Sequence, residues 1–366
     1  MYNVAKAAVD ALLRQLSRSL PKWQNYTVEA TLPARPAYQP ALPANWAQLS
    51  AKDGQRFVET LHFPEHYVYR LPNVHVTWDG GVFHNLRLFL PSIVHPRFAG
   101  RFQDTLLLRQ WVGEKVVLPT PCVAVCHNQW SVNNYYHWLI DTLPRLLVLR
   151  QTHPDILLLL PQHWPATQPR DYIGRSAAAL GFTNHRLLHA RQILRAGCVV
   201  LPELTAPSLT QNPELIRQVR AELLAALHPK PVVATRRVYA ARDSSGVRHM
   251  ENEHEIDLLL QAYGFEKVYF DKLSFLEQIQ LMGETAVFMG VHGAAMTNML
   301  FLPQQAPVME LLNRDCGELC YARLASCLGL TYFFVACTAS EPALGNQSAM
   351  VCDIAELEEA IVAALS

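Results

Sequence analysis

Three ionisable residues recur at four-residue intervals in the first half of the chain: His137, Asp141 and Arg145. Residues four apart in an α-helix lie on one face, so a helix here would align an imidazole, a carboxylate and a guanidinium. Most of their neighbours are apolar, and unpaired charges are costly to bury. Two interpretations stay open: a structural ladder that braces two layers, or a set of groups that faces a cleft and moves a proton there.

The helix that would carry these groups has a recognisable start. Asn133 or Asn134 is a natural N-cap, because the amide oxygen of asparagine can accept hydrogen bonds from the first N–H groups of a helix. The apolar residues that follow predict a mostly buried helix. Pro144 is expected to kink it.

The second candidate site is the stretch 287–298, which predicts a short apolar strand, a tight turn at His292-Gly293-Ala294 and the first turn of a helix. Gly293 has no Cβ and lets the backbone come close to a ligand. The N–H groups and positive dipole end of the helix would favour a phosphate. An ordinary strand-to-helix turn of an α/β domain explains the same residues, since a single glycine is a weak motif.

Polar neighbours of this turn favour a phosphate site. Arg242 and Arg248 flank a short loop, and guanidinium groups suit bidentate contacts with a diphosphate, although either arginine alone could form a surface salt bridge. Asn298 lies one helical turn beyond Ala294 and would cap the helix or contact the ligand. Glu310 would accept hydrogen bonds from ribose hydroxyls or stand as a solvent-exposed carboxylate at the end of a strand.

The second half of the chain alternates strands and helices at a spacing typical of a parallel, doubly wound sheet. Ligands of such sheets bind beyond the carboxyl ends of the strands, where the turn at Gly293, Arg242 and Glu310 are expected. Capping boxes are predicted at Asn252 with Glu255 and at Ser274 with Glu277. The predicted strands are 237–241, 268–270, 286–291, 307–312 and 332–335, and the predicted helices are 212–227, 252–263, 274–283, 318–328 and 353–365.

The first half predicts a mixed α/β domain that ends at a linker, 205–208. Turn residues at Trp78-Asp79-Gly80-Gly81-Val82 predict a β-hairpin. The other predicted elements are an amphipathic helix at 4–20, an irregular proline-rich arm at 30–48, strands within 57–90, a strand at 116–126, a strand at 156–160, a helix at 172–180 and a strand at 198–201. The amphipathic helix would pack on its own domain or rest on an anionic membrane surface.

Composition excludes several classes of protein. The chain has 366 residues, enough for two domains, and 31 basic and 31 acidic residues give a formal net charge of zero. This balance shows no broad attraction to nucleic acid. Residues 1–20 carry charges and lack a long apolar run, so they predict neither a secretory signal nor a membrane span.

The eight cysteines do not suggest a disulfide framework in a chain of this length. Cys122 and Cys126 share one strand-like run, and Cys316 and Cys320 lie one helical turn apart. Because neither pair has the turn residues that usually flank zinc ligands, buried free thiols are expected at these positions. This interpretation predicts a reducing compartment, the cytoplasm.

The ordered set of these motifs resembles glycosyltransferase family 61. The segment from Arg242 to Leu312 is similar to the donor domain of that family, and the segment 134–145, which contains Tyr136, is similar to its other signature. In one departure, Gly246-Val247 precede Arg248 where the family typically has Ala-Arg. The matching pieces of the donor segment are Arg242, Arg248, Asn252-Glu253, the run 260–265, the run 273–278, Val291 to Ala294 and Thr297-Asn298.

The resemblance implies an α/β protein of the GT-B type, with two facing Rossmann-like domains and a central cleft. We expect an N-terminal acceptor-side domain at 1–205, a nucleotide-sugar-binding domain at 206–345 and a C-terminal helix within 346–366 that could pack back toward the first domain. The implied donor-binding residues are Arg242, Arg248, His292, Gly293, Ala294, Asn298 and Glu310, and the implied acceptor-side residues are Asn134, Tyr136 and Arg145.

The resemblance also implies a reaction: transfer of a sugar from a nucleotide sugar, usually a UDP-sugar, with inversion and without a metal or other cofactor. A bacterial-type, cytoplasmic member would act on a glycan acceptor, a precursor of a cell-surface polysaccharide, with peripheral contact to the membrane through the N-terminal helix. His137 or Asp141 would be the base and the other would orient it. The sequence identifies neither the sugar nor the oligomeric state.

A catalytically silent nucleotide-sugar binder, used as a scaffold or sensor, is the alternative function. It would keep the phosphate site and lack a working base. A nicotinamide-dependent dehydrogenase and a hydrolase rank lower, because no Gly-x-Gly-x-x-Gly follows a predicted strand and no nucleophile elbow is present.

Overall fold

The computed structural model describes residues 25–85, 87–95, 113–120, 122–162, 171–227, 230, 232–242 and 247–366. The predicted amphipathic helix at 4–20 lies outside these residues. The chain divides into two compact units. The first comprises the residues up to Arg35 together with Pro64–Ser208, and the second comprises Pro36–Phe63 and Leu209–Ser366.

The elements of the described residues follow the chain in this order. The strands are β1 (Thr27–Leu32), β2 (Arg35–Tyr38), β3 (Leu61–Phe63), β4 (His66–Thr77), β5 (Val82–His84), β6 (Arg87–Leu88), β7 (Glu114–Val117), β8 (Cys122–Val125), β9 (Leu157–Gln162), β10 (His185–His189), β11 (Gln192–Pro202), β12 (Arg236–Ala240), β13 (Phe265–Val268), β14 (Thr285–Val291), β15 (Pro307–Asn313), β16 (Thr331–Ala339) and β17 (Met350–Cys352). The α-helices are α1 (Ala51–Gln55), α2 (Tyr135–His137), α3 (Leu143–Thr152), α4 (Asp171–Ala179), α5 (Pro213–Leu227), α6 (Glu253–Ala262), α7 (Phe275–Gly283), α8 (Cys320–Leu328) and α9 (Ile354–Leu365). A π-helical turn, Trp138–Thr142, joins α2 to α3, and 3-10 turns span Trp46–Gln48, Leu90–Ser92, Phe270–Lys272, Ala294–Phe301 and Pro342–Gln347.

The first unit is built on one mixed sheet with the strand order β10-β9-β8-β11-β4-β5-β6, in which β1 also pairs with β4 and β7 with β11. Strands β10, β9, β8 and β11 run parallel, and β4 runs antiparallel to β11. The chain passes from β8 through α2 and α3 to β9, as a parallel pair requires. The predicted hairpin is confirmed, because His75 pairs with Phe83 and Val76 with Val82 around the turn.

Two predictions for the first half are wrong in detail. The single strand expected at 116–126 is two strands, β7 and β8, because they pair with different parts of β11: Gln192–Arg195 and Cys198–Val200. The arm at 30–48, which was expected to be irregular, contains the end of β1 and all of β2. Pro36 is tolerated in β2 because this strand pairs with β3 alone, and a strand edge needs no donor on its open side.

The cysteines of the first unit also differ from expectation. Cys122 and Cys198 face each other in the register of β8 and β11, and a disulfide joins them with 4.4 Å between their Cα atoms. The other six cysteines are free and buried. The prediction of a free thiol is therefore wrong for Cys122, and cysteine usage no longer argues for a reducing compartment.

The second unit confirms the predicted doubly wound sheet. Its strand order is β13-β12-β14-β15-β16-β17, with every pair parallel except β16 and β17. Read from β12, the five parallel strands have the order 2-1-3-4-5, so the direction of winding reverses between β12 and β14. The carboxyl ends of these two strands are the topological switch point, where ligands of such sheets bind.

An N-terminal segment, Pro36–Phe63, belongs to this second unit rather than to the N-terminal half. The segment is hydrogen-bonded to β16. The Ala44 N–H donates to the Tyr332 carbonyl over 2.7 Å, and the Asn45 side-chain amide donates to the Phe334 carbonyl over 2.8 Å. Glu59 accepts two bonds from the Arg323 guanidinium. The sequence placed this segment in the predicted domain 1–205, because local patterns do not indicate which sheet a segment joins.

The C-terminal residues complete the same unit. Strand β17 extends the sheet beyond β16, which the sequence predicts as the last strand. Helix α9 begins at the predicted position, where Asp353 accepts hydrogen bonds from two N–H groups. Leu357, Ala360 and Ile361 of α9 are buried in the core of the second unit, so this helix is an integral part of that unit rather than one that returns toward the first domain.

Of the two capping boxes predicted in this unit, the structure contains one. The capping box of Ser274 with Glu277 is confirmed. Asn252 stands at the predicted N-cap position, but its side chain makes no capping bond. The amide instead donates to the Cys352 carbonyl over 2.8 Å and accepts from the Cys352 N–H over 3.1 Å, as a neighbouring strand would. It thereby ties α6 to β17.

Among the described residues, no helix combines the length and the apolar character needed to cross a bilayer.

Candidate active site

The first candidate site lies at the switch point of the second unit. Ala240 at the end of β12 pairs with Gly290 near the end of β14, so the residues that follow both strands emerge side by side. Arg242 follows β12 by two residues, and His292-Gly293 follow β14. The sequence prediction that these residues share one edge of the sheet is confirmed.

Arg242 and Gly293 are in direct contact. The Arg242 Nη1 donates to the His292 carbonyl over 2.9 Å, and a Cβ built on Gly293 would overlap that Nη1. The space beside Gly293 was expected to hold a ligand. The Arg242 guanidinium occupies it instead, so the missing side chain of Gly293 lets Arg242 lie against the turn.

Replacing Gly293 by alanine should therefore displace Arg242. Overpacking of this kind costs about 1–3 kcal/mol of folding free energy, and calorimetric titration should show weaker UDP binding. Gly317→Ala is a matched control in the same unit, since a Cβ there meets no atom of the described residues within 4 Å. Unchanged UDP affinity in Gly293→Ala would separate this glycine from the phosphate site.

The two arginines form a concentrated positive charge. Burial and the nearby Arg248 lower the pKa of Arg242 to about 10, so it stays cationic at neutral pH. Arg248 has a left-handed backbone with φ of 61°, uncommon for a residue with a side chain, and its buried Nε has no hydrogen-bond partner. Within the described part of the chain, neither guanidinium forms an ion pair with a carboxylate. A site that holds two such cations is suited to an anion.

The turn after Gly293 leads into the 3-10 helix Ala294–Phe301, where an α-helical turn was expected. The first N–H groups of any helix lack acceptors within it, so those of Ala294 and Ala295 can bind a phosphate oxygen. Asn298 is buried, and its amide donates to the Ala295 carbonyl over 3.1 Å. It therefore supports the fold of this turn without capping the helix, whose N-cap is Gly293. Its contact with the ligand stays a prediction.

His292 and Glu310 form a buried pair. The His292 Nδ1 lies 2.5 Å from the Glu310 Oε1, and the Tyr332 hydroxyl donates to the Glu310 Oε2 over 2.6 Å. Burial opposes a charged imidazole, but the carboxylates of Glu310 and Glu318 outweigh it and raise the pKa of His292. Glu310 is fully buried and both its oxygens are engaged, so it orients His292 and is not the solvent-exposed carboxylate of the second sequence interpretation. A contact with ribose stays a prediction.

Tyr332→Phe tests the strength of this buried network. The substitution leaves one Glu310 oxygen without its donor inside the protein, so we expect a loss of about 1–3 kcal/mol in the free energy of unfolding, measured by urea denaturation. Tyr263→Phe is the control, because its hydroxyl binds Glu358 at the surface and its loss should stay within about 0.5 kcal/mol. Equal small losses in both variants would contradict the buried role of Glu310.

Tyr321 is a residue of this site that sequence analysis missed. Its ring packs edge-on against His292 with 5.1 Å between ring centres, and its phenol interacts electrostatically with both Arg242 and Arg248. Burial raises the pKa of the Tyr321 phenol well above its usual value. No local signal marks this residue, because it reaches the site from the first turn of α8.

The second candidate site lies in the first unit, after the carboxyl end of β8. The Asn134 side chain caps the helix as predicted: its Oδ1 accepts from the N–H groups of Tyr136 over 2.9 Å and His137 over 3.4 Å. A π-helical turn lies just before Pro144, where the sequence predicts a kink. Such turns accommodate a proline and are frequent at functional sites.

The predicted pairing of His137 with Asp141 is confirmed. The His137 Nδ1 lies 2.7 Å from the Asp141 Oδ2, and both side chains are largely buried. Trp130 packs against the imidazole with 4.6 Å between ring centres, a neighbour that sequence analysis missed. With Nδ1–H donated to the carboxylate, Nε2 keeps its lone pair and can accept a proton.

Arg145 does not extend the ladder by a direct bond. Its Nε donates to the Pro202 carbonyl at the end of β11 over 2.7 Å, and burial lowers its pKa. Its charge still acts on Asp141, Glu203 and Cys126. Direct contact within the predicted ladder is therefore confined to His137 and Asp141.

Comparison with known proteins shows which family the segment with these sites resembles. Residues 135–309, just under half of the chain, match the family model described as Glycosyltransferase 61. The match agrees with the resemblance that the motifs suggested, and it covers both His137 with Asp141 and the switch-point residues Arg242, Arg248 and Gly293.

The similar curated proteins are animal enzymes named EGF domain-specific O-linked N-acetylglucosamine transferase. The chain is 38% identical to the one from Bos taurus over 102 residues, which is 26% of this chain and 19% of the relative. It is 28% identical to the one from Drosophila melanogaster over 224 residues, which is 54% of this chain and 42% of the relative. The chain thus matches less than half the length of these relatives. Because they are animal proteins, they give no support to the narrower expectation of a bacterial-type member.

Proposed function

We propose that the chain transfers a sugar from a nucleotide sugar, with a UDP-sugar as the expected donor, to an acceptor hydroxyl. The reaction proceeds with inversion at the anomeric carbon and needs neither Mg²⁺ nor Mn²⁺. One observation carries the proposal: two half-buried guanidinium groups, without carboxylate partners among the described residues, lie at the switch point of a doubly wound sheet.

The donor side of the proposal follows from charge. A departing nucleoside diphosphate takes the electron pair of the broken sugar–oxygen bond, and groups already in place to receive negative charge stabilise the transition state. Arg242 and Arg248 supply positive charge, and the N–H groups of Ala294 and Ala295 supply donors. These groups would do the work that a divalent cation does elsewhere, so we expect UDP to bind equally well with and without Mg²⁺ or Mn²⁺.

The acceptor side rests on the pair of His137 and Asp141. The acceptor oxygen bonds to the anomeric carbon as the bond to the diphosphate breaks, and its proton passes to the Nε2 of His137. Asp141 holds the imidazole in the required tautomer and stabilises the imidazolium that forms. The GT-B arrangement of two facing domains stays a prediction.

The acceptor has two candidates. The sequence predicts a glycan, a precursor of a cell-surface polysaccharide. The names of the similar animal enzymes favour a second candidate, a hydroxyl of a protein domain that receives N-acetylglucosamine. Both are alcohols that a base must deprotonate, so the proposed roles of the residues are the same for either.

The test uses the full chain with UDP-sugars, UDP-N-acetylglucosamine among them, and both kinds of acceptor. We expect UDP to raise the Tm and a sugar to appear on one acceptor by mass spectrometry, with the anomeric configuration inverted by NMR. If UDP-sugars bind but are neither transferred nor hydrolysed, the silent scaffold or sensor is the better account. If no nucleotide sugar raises the Tm, the donor site proposed at Arg242 is wrong.

The location of the protein also stays a proposal. We propose a cytoplasmic chain, with residues 4–20 able to contact the membrane surface. Fractionation of cells that express the chain, with a salt wash of the membranes, would test both parts.

A further inference from the structure

We propose that His292, Cys316 and Glu318 form a binding site for a transition-metal ion of the zinc class. His292 follows β14, and the other two residues lie on the loop that leads from β15 to α8. Because β14 and β15 are neighbours in the sheet, the topology brings the histidine and this loop together. The proposal is independent of the glycosyltransferase function.

The geometry of the three side chains suits a metal ion. One ligand atom from each residue lies within 4.8 Å of the other two, and the His292 Nε2 is 3.6 Å from a Glu318 oxygen. Imidazole nitrogen, thiolate sulfur and carboxylate oxygen are the three ligand types of protein zinc sites. A thiolate selects zinc over Mg²⁺ or Ca²⁺, which prefer oxygen ligands alone.

Each of the three ligands is held by a second contact. The Nδ1 of His292 binds the buried Glu310 carboxylate, the carboxylate–histidine arrangement typical of metal sites, which leaves Nε2 to face the other ligands. The Asn346 amide donates to the Glu318 Oε2 over 2.9 Å. The backbone of Glu318 interacts electrostatically with the Cys316 thiol. Such outer contacts fix the ligands before the ion arrives.

The local charges are of both signs. The carboxylates of Glu310 and Glu318 act on His292, and so does the guanidinium of Arg248. Arg56 donates to the Cys316 carbonyl and is a second, more distant positive group. A divalent ion would displace the proton of the Cys316 thiol on binding and tie the loop of Cys316 to the end of β14.

Cobalt titration of the metal-stripped full chain tests the proposal, because tetrahedral Co²⁺ bound to thiolate absorbs in the near ultraviolet and visible. We expect one Co²⁺ per chain with a thiolate-to-cobalt band, displaced by Zn²⁺, and a higher Tm in the presence of Zn²⁺. Cys316→Ser should lose the band. Cys327→Ser, a buried thiol in α8, should keep it and is the matched control.

Glu318→Gln is a second test in case Cys316→Ser does not fold. The Glu318 side chain is 44% exposed, so this substitution should not disturb the core. It should keep the thiolate band and lower the Zn²⁺ affinity about tenfold or more. A band that is absent from the unsubstituted chain, or that survives in Cys316→Ser, would overturn the proposal. NMR spectra that show both nitrogens of His292 still protonated in excess Zn²⁺ would also overturn the proposal. The imidazole would then only bridge the carboxylates of Glu310 and Glu318.

Discussion

Asp141→Asn and His137→Gln should each lower the turnover number by about 10²–10⁴-fold, the usual contribution of a positioned general base. In the first variant the asparagine amide could not hold the required tautomer of His137, and in the second the glutamine amide could not accept the proton. UDP affinity should hardly change, because the groups proposed to bind the diphosphate belong to the other unit. Initial-rate kinetics with saturating donor, together with calorimetric titration of UDP, would measure both effects.

His153→Gln is the control for these variants. It removes a histidine at the end of the same helical segment, where the imidazole pairs with Glu29 at the surface of the first unit. We expect its turnover to equal that of the unsubstituted chain, and circular dichroism should show that all variants fold. Full activity in both Asp141→Asn and His137→Gln would place the base elsewhere and leave the pair a structural one.

Arg242→Ala should raise the Kd for UDP about ten- to a hundredfold, because hydrogen bonds to charged groups contribute about 1.5–3 kcal/mol each. The loss would exceed that of an ordinary surface arginine, since burial and Arg248 make this charge costly to hold without an anion. Calorimetric titration measures the change directly, in buffer without Mg²⁺ or Mn²⁺.

Two further variants show whether a weaker UDP affinity of Arg242→Ala is specific to this residue. Arg237→Ala removes an arginine from the opposite end of β12, where it binds the Tyr263 carbonyl, and should leave UDP affinity unchanged. Arg242→Lys keeps the charge but loses the planar fork, so partial recovery would show that geometry as well as charge is recognised. Unaltered UDP binding in Arg242→Ala would remove this residue from the donor site.

Local patterns predicted much of the second unit because the contacts involved are close in the chain. Strand–helix alternation indicated the parallel sheet, Ser274 and Glu277 formed their capping box, and Gly329 ended α8 in the left-handed conformation. The pairing of His137 with Asp141 was predicted for the same reason: four residues make about one helical turn, and no distant element is needed to bring the two side chains together.

Interactions between distant segments could not be predicted in this way. The amide of Asn252 was expected to cap its own helix, but the two free backbone groups of Cys352, a hundred residues later, bind it instead. Glu310 was expected to bind ribose or to face solvent, yet it is buried, and Tyr332 on the neighbouring strand donates to its second oxygen. Cys122 was expected to be free until the register of β8 against β11 placed Cys198 beside it.

The sequence by itself determined the resemblance to family 61, the strand-to-turn layout around Gly293 and the His137–Asp141 pair, because each depends on residue type at short spacing. Only the tertiary structure decided that Gly293 makes room for a guanidinium, that Tyr321 reaches the same site, and that Pro36–Phe63 belongs with the C-terminal half. The physical reason is that these contacts depend on strand order, register and side-chain volume, which no local periodicity records.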